Sequence, residues 1–194
     1  LIGLNAEGNI KEYSEKIDKE TQRMLSLIND MLNLNKLENS TVNVAALSPV
    51  SVGETVEEAV SELAVLAKSK NVTVNASGDA KIKIEKEHLY ELVKNLIENA
   101  VRYNVEGGSV NVTVKRESGK TVISVADTGI GIDAENRSRI FERFYRIDKS
   151  RSRATGGTGL GLAIVKHVCE LYGARIDLSS RLGVGTVVTV TFDR

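Results

Sequence analysis

Apolar side chains recur through residues 9–38 at Ile10, Tyr13, Ile17, Met24, Ile28, Met31 and Leu34, in a mixture of seven- and four-residue steps without proline. That spacing predicts one long helix. A helix of about 30 residues with so narrow an apolar stripe cannot bury it alone, so it calls for a partner helix in the same chain or in a second copy. Leu1 to Leu4 read as the end of such a partner, and residues 5–9, with Gly8, as the turn between them. After Ser40 the pattern changes. Residues 41–52 are short, β-rich and contain Pro49, which suits a linker or edge strand and sets a domain boundary near position 40. Beyond it the pattern predicts a helix from about 53 to 69, strands near 72–76 and 81–84, and a strong helix over 86–103. A strand pair follows at 109–117 and 121–127, turning at Ser118-Gly119. A glycine-rich, basic stretch covers 128–159 with little periodicity. A helix over about 160–172, stopped by Gly173, and a hairpin of 175–180 with 186–192 complete the chain. Helices and strands interleave without regular βαβ repetition, which predicts a two-layer α/β sandwich with a mixed sheet and not a doubly wound fold.

The 194 residues therefore divide into a helical segment, 1–40, and an α/β domain, 41–194. Lysine plus arginine balances aspartate plus glutamate at 26 each, so no global field draws the molecule to nucleic acid. No apolar run is long enough to span a bilayer. A single cysteine, Cys169, excludes an internal disulfide and a cysteine-based zinc site, and fits a reducing, cytoplasmic compartment. The chain opens on Leu-Ile-Gly-Leu without an initiator methionine or a signal peptide's regions, as expected of a piece of a longer protein.

The helix over 86–103 carries the most chemistry. Leu89, Leu92, Val93, Leu96, Ile97, Ala100 and Val101 form a core face, and at about 100° per residue Glu91, Asn95, Asn99 and Arg102 share a polar stripe opposite. Two mid-helix asparagines cost some tenths of a kcal/mol each, roughly. The stripe is either a solvated face or a row of amide oxygens for a hard cation, Mg²⁺, bridging phosphates that Arg102 neutralises. Downstream, a buried-looking strand ends in Asp127-Thr128-Gly129-Ile130-Gly131-Ile132, a carboxylate and glycines suited to a flat heterocycle. It is not the dinucleotide fingerprint, whose third glycine would fall at Ala134, and no P-loop segment exists. Gly156-Gly157-Thr158-Gly159-Leu160-Gly161 lies directly before a helix, where unpaired N–H groups and the dipole favour anions; a hinge or tight helix packing is the plainer alternative. Between the clusters, Phe141-Glu142-Arg143-Phe144-Tyr145-Arg146, then Lys149, Arg151 and Arg153, read either as a lid carrying cations over phosphates or as a solvated loop.

Four of these segments, in order, resemble the motifs of sensor histidine kinases, within the wider superfamily of gyrase B subunits, mismatch-repair proteins and heat-shock chaperones. Asn95-Leu96-Ile97-Glu98-Asn99-Ala100 with Arg102 and Tyr103 resembles the N box, and Asp127-Thr128-Gly129-Ile130-Gly131 the first glycine box. Phe141 to Arg146 resembles the F box, and Gly157-Thr158-Gly159-Leu160-Gly161-Leu162 the second glycine box. The resemblance implies a Bergerat-type ATP-binding fold, with a long helix of a helical-hairpin dimerisation domain before it. It implies that Asn99 holds Mg²⁺, that Asn95 and Arg102 sit near the phosphates, and that Asp127 binds the adenine amino group. Tyr103, Gly129, Gly131, Ile132 and Thr186 would line the same ATP pocket, with Gly183-Val184-Gly185-Thr186 closing its adenine side. Asn95, Arg102 and Arg143 are the residues it implies for catalysis. Partners would be a response regulator and a second copy through the stalk, and the segment would be the cytoplasmic portion of a sensor anchored in the membrane by parts absent here.

In the ATP-hydrolysing relatives the position four before the magnesium asparagine is a glutamate that activates water; here it is Asn95, which cannot act as that base. ATP should then be held with little hydrolysis, and catalysis should consist of positioning and charge neutralisation. Arg23-Met24-Leu25-Ser26-Leu27-Ile28-Asn29-Asp30-Met31-Leu32 resembles the second helix of the family's dimerisation hairpin. The family's histidine-glutamate-leucine phosphoacceptor motif is absent. His88 and His167 read as exposed helix residues, and Cys169 as a small core residue. Two functions follow: ATP:protein-histidine phosphotransfer to an acceptor outside the chain, or a degenerate nucleotide-binding interaction module without transfer. A gyrase-type ATPase is disfavoured by Asn95.

Overall fold

The computed structural model describes residues 2–147 and 157–193. Lys149, Arg151, Arg153 and Gly156 of the expected lid and glycine cluster lie outside the described residues. Helix α1 (Ile2–Glu38) is continuous over 37 residues. The turn expected at 5–9 does not form. A glycine inside a helix costs only about 1 kcal/mol against alanine, and no proline is there to stop the helix at Gly8.

Strand β1 (Pro49–Ser51) leads directly into α2 (Val52–Ser69). The Ser51 hydroxyl accepts from the Glu54 N–H at 3.1 Å and caps that helix. The Asp79 carboxylate accepts from the Gly53 N–H at 2.7 Å and from the Ser51 hydroxyl at 2.9 Å, and the Gly53 bond leads in holding that carboxyl below its ordinary range. Strands β2 (Thr73–Ser77) and β3 (Lys81–Lys83) follow, and β3 pairs with β1 as a separate antiparallel ribbon. After α3 (Lys86–Arg102) come β4 (Ser109–Glu117), β5 (Lys120–Asp127), α4 (Gly161–Tyr172), β6 (Arg175–Arg181) and β7 (Gly185–Phe192). The main sheet has the order β2-β4-β5-β7-β6. Its β2–β4 pair is parallel and the other pairs are antiparallel, so the sheet is mixed.

Strand alternation explains why one helical layer suffices. Val110, Val112, Ile123, Val125, Val188 and Val190 point into the core, while Asn111, Thr113, Ser124 and Thr189 line the other face. All seven apolar residues of the α3 core face are buried between the sheet and helices α2 and α4. Leu89 has no exposed surface, and Leu89→Ala is expected to cost about 3 kcal/mol of stability, read as a fall in the urea unfolding midpoint.

Helix α1 lies against α4 through one edge only. Leu34 and Leu37 are buried there, and Arg23, Leu27, Asp30 and Asn33 are partly withdrawn from solvent. Ile10, Tyr13, Ile17, Met24, Ile28 and Met31 remain at least half exposed. Leu34 therefore leaves the stripe expected for it and joins the core of the α/β body.

Candidate nucleotide-binding site

The register of the sheet brings the carboxylate into place. Asp127 pairs across the ladders with Val110 on β4 and Thr186 on β7, at the sheet end next to the C-terminus of α3. Its Oδ1 accepts from the Gly129 N–H at 2.8 Å and the Thr186 N–H at 3.2 Å. Burial pushes the carboxyl upward, and those two backbone donors only partly offset it. Among the described residues Oδ2 receives no hydrogen bond, so one acceptor of the carboxylate is left open. The Tyr103 carbonyl accepts from the Ile130 N–H at 3.1 Å and closes the loop against α3. Gly131, at φ +67°, passes so near the β6–β7 turn that a Cβ there would stand 2.0 Å from the Arg181 carbonyl oxygen. The Ile132 N–H donates to the Ser180 hydroxyl at 2.8 Å, and Ser180 in turn lies 2.8 Å from the Thr186 hydroxyl.

At the other end, the polar stripe of α3 meets the start of α4. The Asn95 amide nitrogen donates to the Glu91 carbonyl at 2.8 Å and to the Glu91 carboxylate at 3.3 Å, which turns Oδ1 outward. A Cβ on Gly161 would stand 2.5 Å from that Oδ1 and 3.5 Å from the Asn99 amide nitrogen, so a side chain there would push the Asn95 amide aside. Leu160, buried, occupies the cap position of α4 and offers no side-chain cap, leaving the first N–H groups of that helix for another acceptor. The Gly159 carbonyl accepts from the Phe144 N–H at 2.9 Å and ties the F-box segment to this loop. Tyr103 bridges the two ends: its hydroxyl lies 3.4 Å from where a Gly157 Cβ would be. Leu162 packs, partly buried, against the core.

The remaining residues singled out in the sequence are held as follows. The Arg102 guanidinium grips Glu98 through Nε at 2.8 Å and Nη2 at 2.5 Å. Arg143 turns to the stalk and pairs with Glu38. His88 is not an exposed helix residue: its Nδ1 lies 2.7 Å from the Tyr172 hydroxyl, because the N-terminus of α3 packs on the end of α4. His167 is also only partly exposed, beside Glu170 at 4.0 Å. Cys169 is buried, as expected of a small core residue, and burial pushes its thiol up to about 12.

Sequence reasoning missed two groups. Asn104 donates to the Ala100 and Ser109 carbonyls at 3.1 and 3.0 Å and accepts from the Thr128 hydroxyl at 3.2 Å, clamping α3 to the sheet end. Asparagine directly after the N box was its one signal. The second group is on the stalk: Asp30 accepts from the Thr158 hydroxyl at 2.6 Å, and the Asn33 amide donates to Glu91 at 3.3 Å. Burial pushes the carboxyls of Asp30 and Glu91 upward.

Comparison with known proteins bears on the family and the fold. The family described as histidine kinase-, DNA gyrase B- and HSP90-like ATPase matches residues 84–194. A sensor-like histidine kinase, SenX3 of Mycolicibacterium smegmatis, is 35% identical over 184 residues, 94% of this chain and 48% of that protein. The phosphate regulon sensor protein PhoR of Pseudomonas aeruginosa is 36% identical over 180 residues, 92% of this chain and 40% of its own length. This chain thus spans about half, or less, of the curated relatives it matches. Among solved structures, full-length ShkA in complex with AMPPNP superposes with a TM-score of 0.76 at 26% identity, over 94% of this chain and 38% of that one. The mycobacterial sensor histidine kinase MprB shares the fold, with a TM-score of 0.64 at 24% identity over 76% of this chain and 97% of that one. No helix among the described residues is long and apolar enough to cross a membrane. With its mixed-sheet sandwich, its paired asparagines facing an uncapped helix start, and more than half its length matched, the chain belongs to the histidine kinase-, DNA gyrase B- and HSP90-like ATPase family.

Proposed function

We propose that this chain binds Mg-ATP between Asp127 and the N-terminus of α4 as the catalytic portion of a sensor histidine kinase. The γ-phosphoryl would pass to a histidine outside the chain and then to a response regulator. One observation carries this reading: the start of α4, without a side-chain cap, faces the Asn95–Asn99 amide pair across Gly161, where a Cβ would press on the Asn95 amide. Backbone N–H groups and the helix dipole there suit a polyphosphate. Asp127 Oδ2 suits an exocyclic amino donor at the opposite end. Asn99 would give Mg²⁺ an amide oxygen. Among the described residues no group of three or more His, Cys, Asp or Glu could hold a metal, so phosphate and water would complete its shell. Bound there, the ion would neutralise phosphate charge. Asn95, an amide, abstracts no proton from water, so the site would hold ATP for a nucleophile and hydrolyse it slowly.

In this proposal residues 1–40 are a dimerising stalk and 41–194 the ATP-binding domain. The exposed row of Ile10, Tyr13, Ile17, Met24, Ile28 and Met31 would be covered by the rest of the hairpin and a second copy. The whole protein would place this segment in the cytoplasm and be anchored by parts outside it. Calorimetric titration with AMPPNP, with and without Mg²⁺, tests the site: magnesium-enhanced binding supports it, and no binding in either condition refutes it. In this reading neither histidine is the acceptor: the His88 Nδ1 lies 2.7 Å from the Tyr172 hydroxyl, and His167 is a partly exposed residue of α4 outside the family's phosphoacceptor motif. Incubation of the chain with labelled ATP is therefore expected to leave it unlabelled, and stable label on either histidine would contradict that.

A further inference from the structure

We infer that Glu91 is a positioning residue: its carboxylate fixes which end of the Asn95 amide is presented to the phosphate end of the site. The inference rests on the proposed Mg-ATP site and adds to it a residue that touches neither nucleotide nor metal. Glu91 lies one turn before Asn95 on the polar stripe of α3 and is partly buried. No ion pair accounts for it among the described residues, since its neighbour Lys94 is committed to Glu62 of α2 at 2.6 Å. A carboxylate withdrawn from water without a cation is costly unless hydrogen-bond donors fill it.

The donors are two side-chain amides. Asn33 of α1 donates to Oε1 at 3.3 Å, and Asn95 donates to Oε2 at 3.3 Å. The same Asn95 nitrogen donates to the Glu91 carbonyl at 2.8 Å, so one residue offers an acceptor to each hydrogen of that NH₂ group. The two ends of an amide are nearly equal in size and opposite in hydrogen-bonding sense, so shape alone does not choose between them. Here the choice is electrostatic. Turned over, Asn95 would set its Oδ1 against two acceptor oxygens and lose both bonds. The backbone carbonyl by itself is a weaker guide, because in a helix it also accepts the N–H four residues on. The carboxylate, which only accepts, makes the choice one-sided, and the Asn33 bond to its other oxygen keeps it from swinging away. What the choice decides is the group beside the start of α4, where a Gly161 Cβ would stand 2.5 Å from Asn95 Oδ1. An amide oxygen there gives Mg²⁺, or a water of its shell, an acceptor; an NH₂ group would give it none. Magnesium-dependent binding then depends on Glu91, while the Asp127 end of the site does not.

The test is calorimetric titration of the whole 194-residue chain with AMPPNP, with and without Mg²⁺, for the unsubstituted protein, Glu91→Ala and Glu91→Gln. Glu91→Ala is expected to cut the gain in affinity that Mg²⁺ confers by about fivefold and to change magnesium-free affinity by less than about twofold. Glu91→Gln is expected to keep the gain to within about twofold, because a glutamine oxygen can still take Asn95 while its NH₂ meets the Asn33 oxygen, turned to face it. A purely structural role would lower both affinities together. That result, an undiminished gain in Glu91→Ala, or a gain lost equally in Glu91→Gln would each overturn the inference. The orientation is also read without ligand: the side-chain amide protons of Asn95 are expected to exchange with water about tenfold faster in Glu91→Ala than in the unsubstituted chain, and equal rates would overturn the inference. Failure of the unsubstituted protein to bind AMPPNP in either condition would strike the proposed site instead, and the exchange rates would still decide the Glu91 contact.

Discussion

Asp127→Asn is expected to weaken AMPPNP binding by about two to three orders of magnitude while leaving the chain folded. The reason lies in how Oδ1 is already used. It holds the N–H groups of Gly129 and Thr186 at 2.8 and 3.2 Å, so an amide variant must keep its carbonyl there and present its NH₂ to the cleft. A donor would then face the amino donor of the base. Loss of a hydrogen bond to a charged acceptor costs about 1.5–3 kcal/mol, and an unpaired buried donor about 1–3 more. Stability should move the other way. Burial raises the carboxyl of Asp127 in the folded state, so the folded chain binds that proton more tightly than the unfolded one. Its contribution to stability is full below the ordinary carboxylate value and declines as pH rises through the raised one. At neutral pH the ionised group is a modest burden that the amide removes. Titration and thermal unfolding of the same variant check both halves.

Gly131→Ala is expected to destabilise the chain by about 3 kcal/mol, roughly 10 °C in the melting temperature for a chain of this size. An alanine at φ +67° occupies a region that L-residues enter at a cost of about 1–2 kcal/mol. Its Cβ would also stand 2.0 Å from the Arg181 carbonyl oxygen and 2.6 Å from its carbon, both backbone atoms that no side-chain rotation can move. The β6–β7 turn would have to withdraw, breaking the 2.8 Å bond from the Gly183 N–H to the Ile130 carbonyl. Because the same turn carries Thr186 to Asp127, nucleotide binding should fall with stability. Calorimetric unfolding measures the first effect, and an unshifted transition would show that the turn is looser than its contacts indicate.

These two residues stood out in the sequence because their chemistry is local. A carboxylate at a strand end followed by glycines, or glycines abutting a helix start, states a backbone requirement that neighbours alone reveal. Helix α3 was legible for the same reason: seven apolar positions at helical spacing admit one face, and all seven are buried. The stalk was not legible in this way. Its charged sequence carries two rows at heptad spacing, and only the tertiary arrangement decides that Leu34 and Leu37 pack on the α/β body while Ile28 and Met31 stay exposed. Gly8 marked a turn that the helix passes through, since one glycine is too small a penalty to end it. The partial burial of Arg23 and Asp30 was not legible, because nothing in a helix's own sequence tells which of its charges another domain will cover. The partners of Arg143 and His88 were hidden likewise: Glu38 and Tyr172 lie far off in the chain.

The most direct measurement is a titration of the ¹⁵N-labelled chain with Mg-AMPPNP, followed through its backbone amide signals. Saturable shifts concentrated at Gly129, Gly131 and the first residues of α4, Gly161 to Ala163, with strand β2 at the far sheet edge unmoved, are the expected result. Shifts absent from the start of α4, or largest elsewhere, would contradict a nucleotide held between Asp127 and that helix.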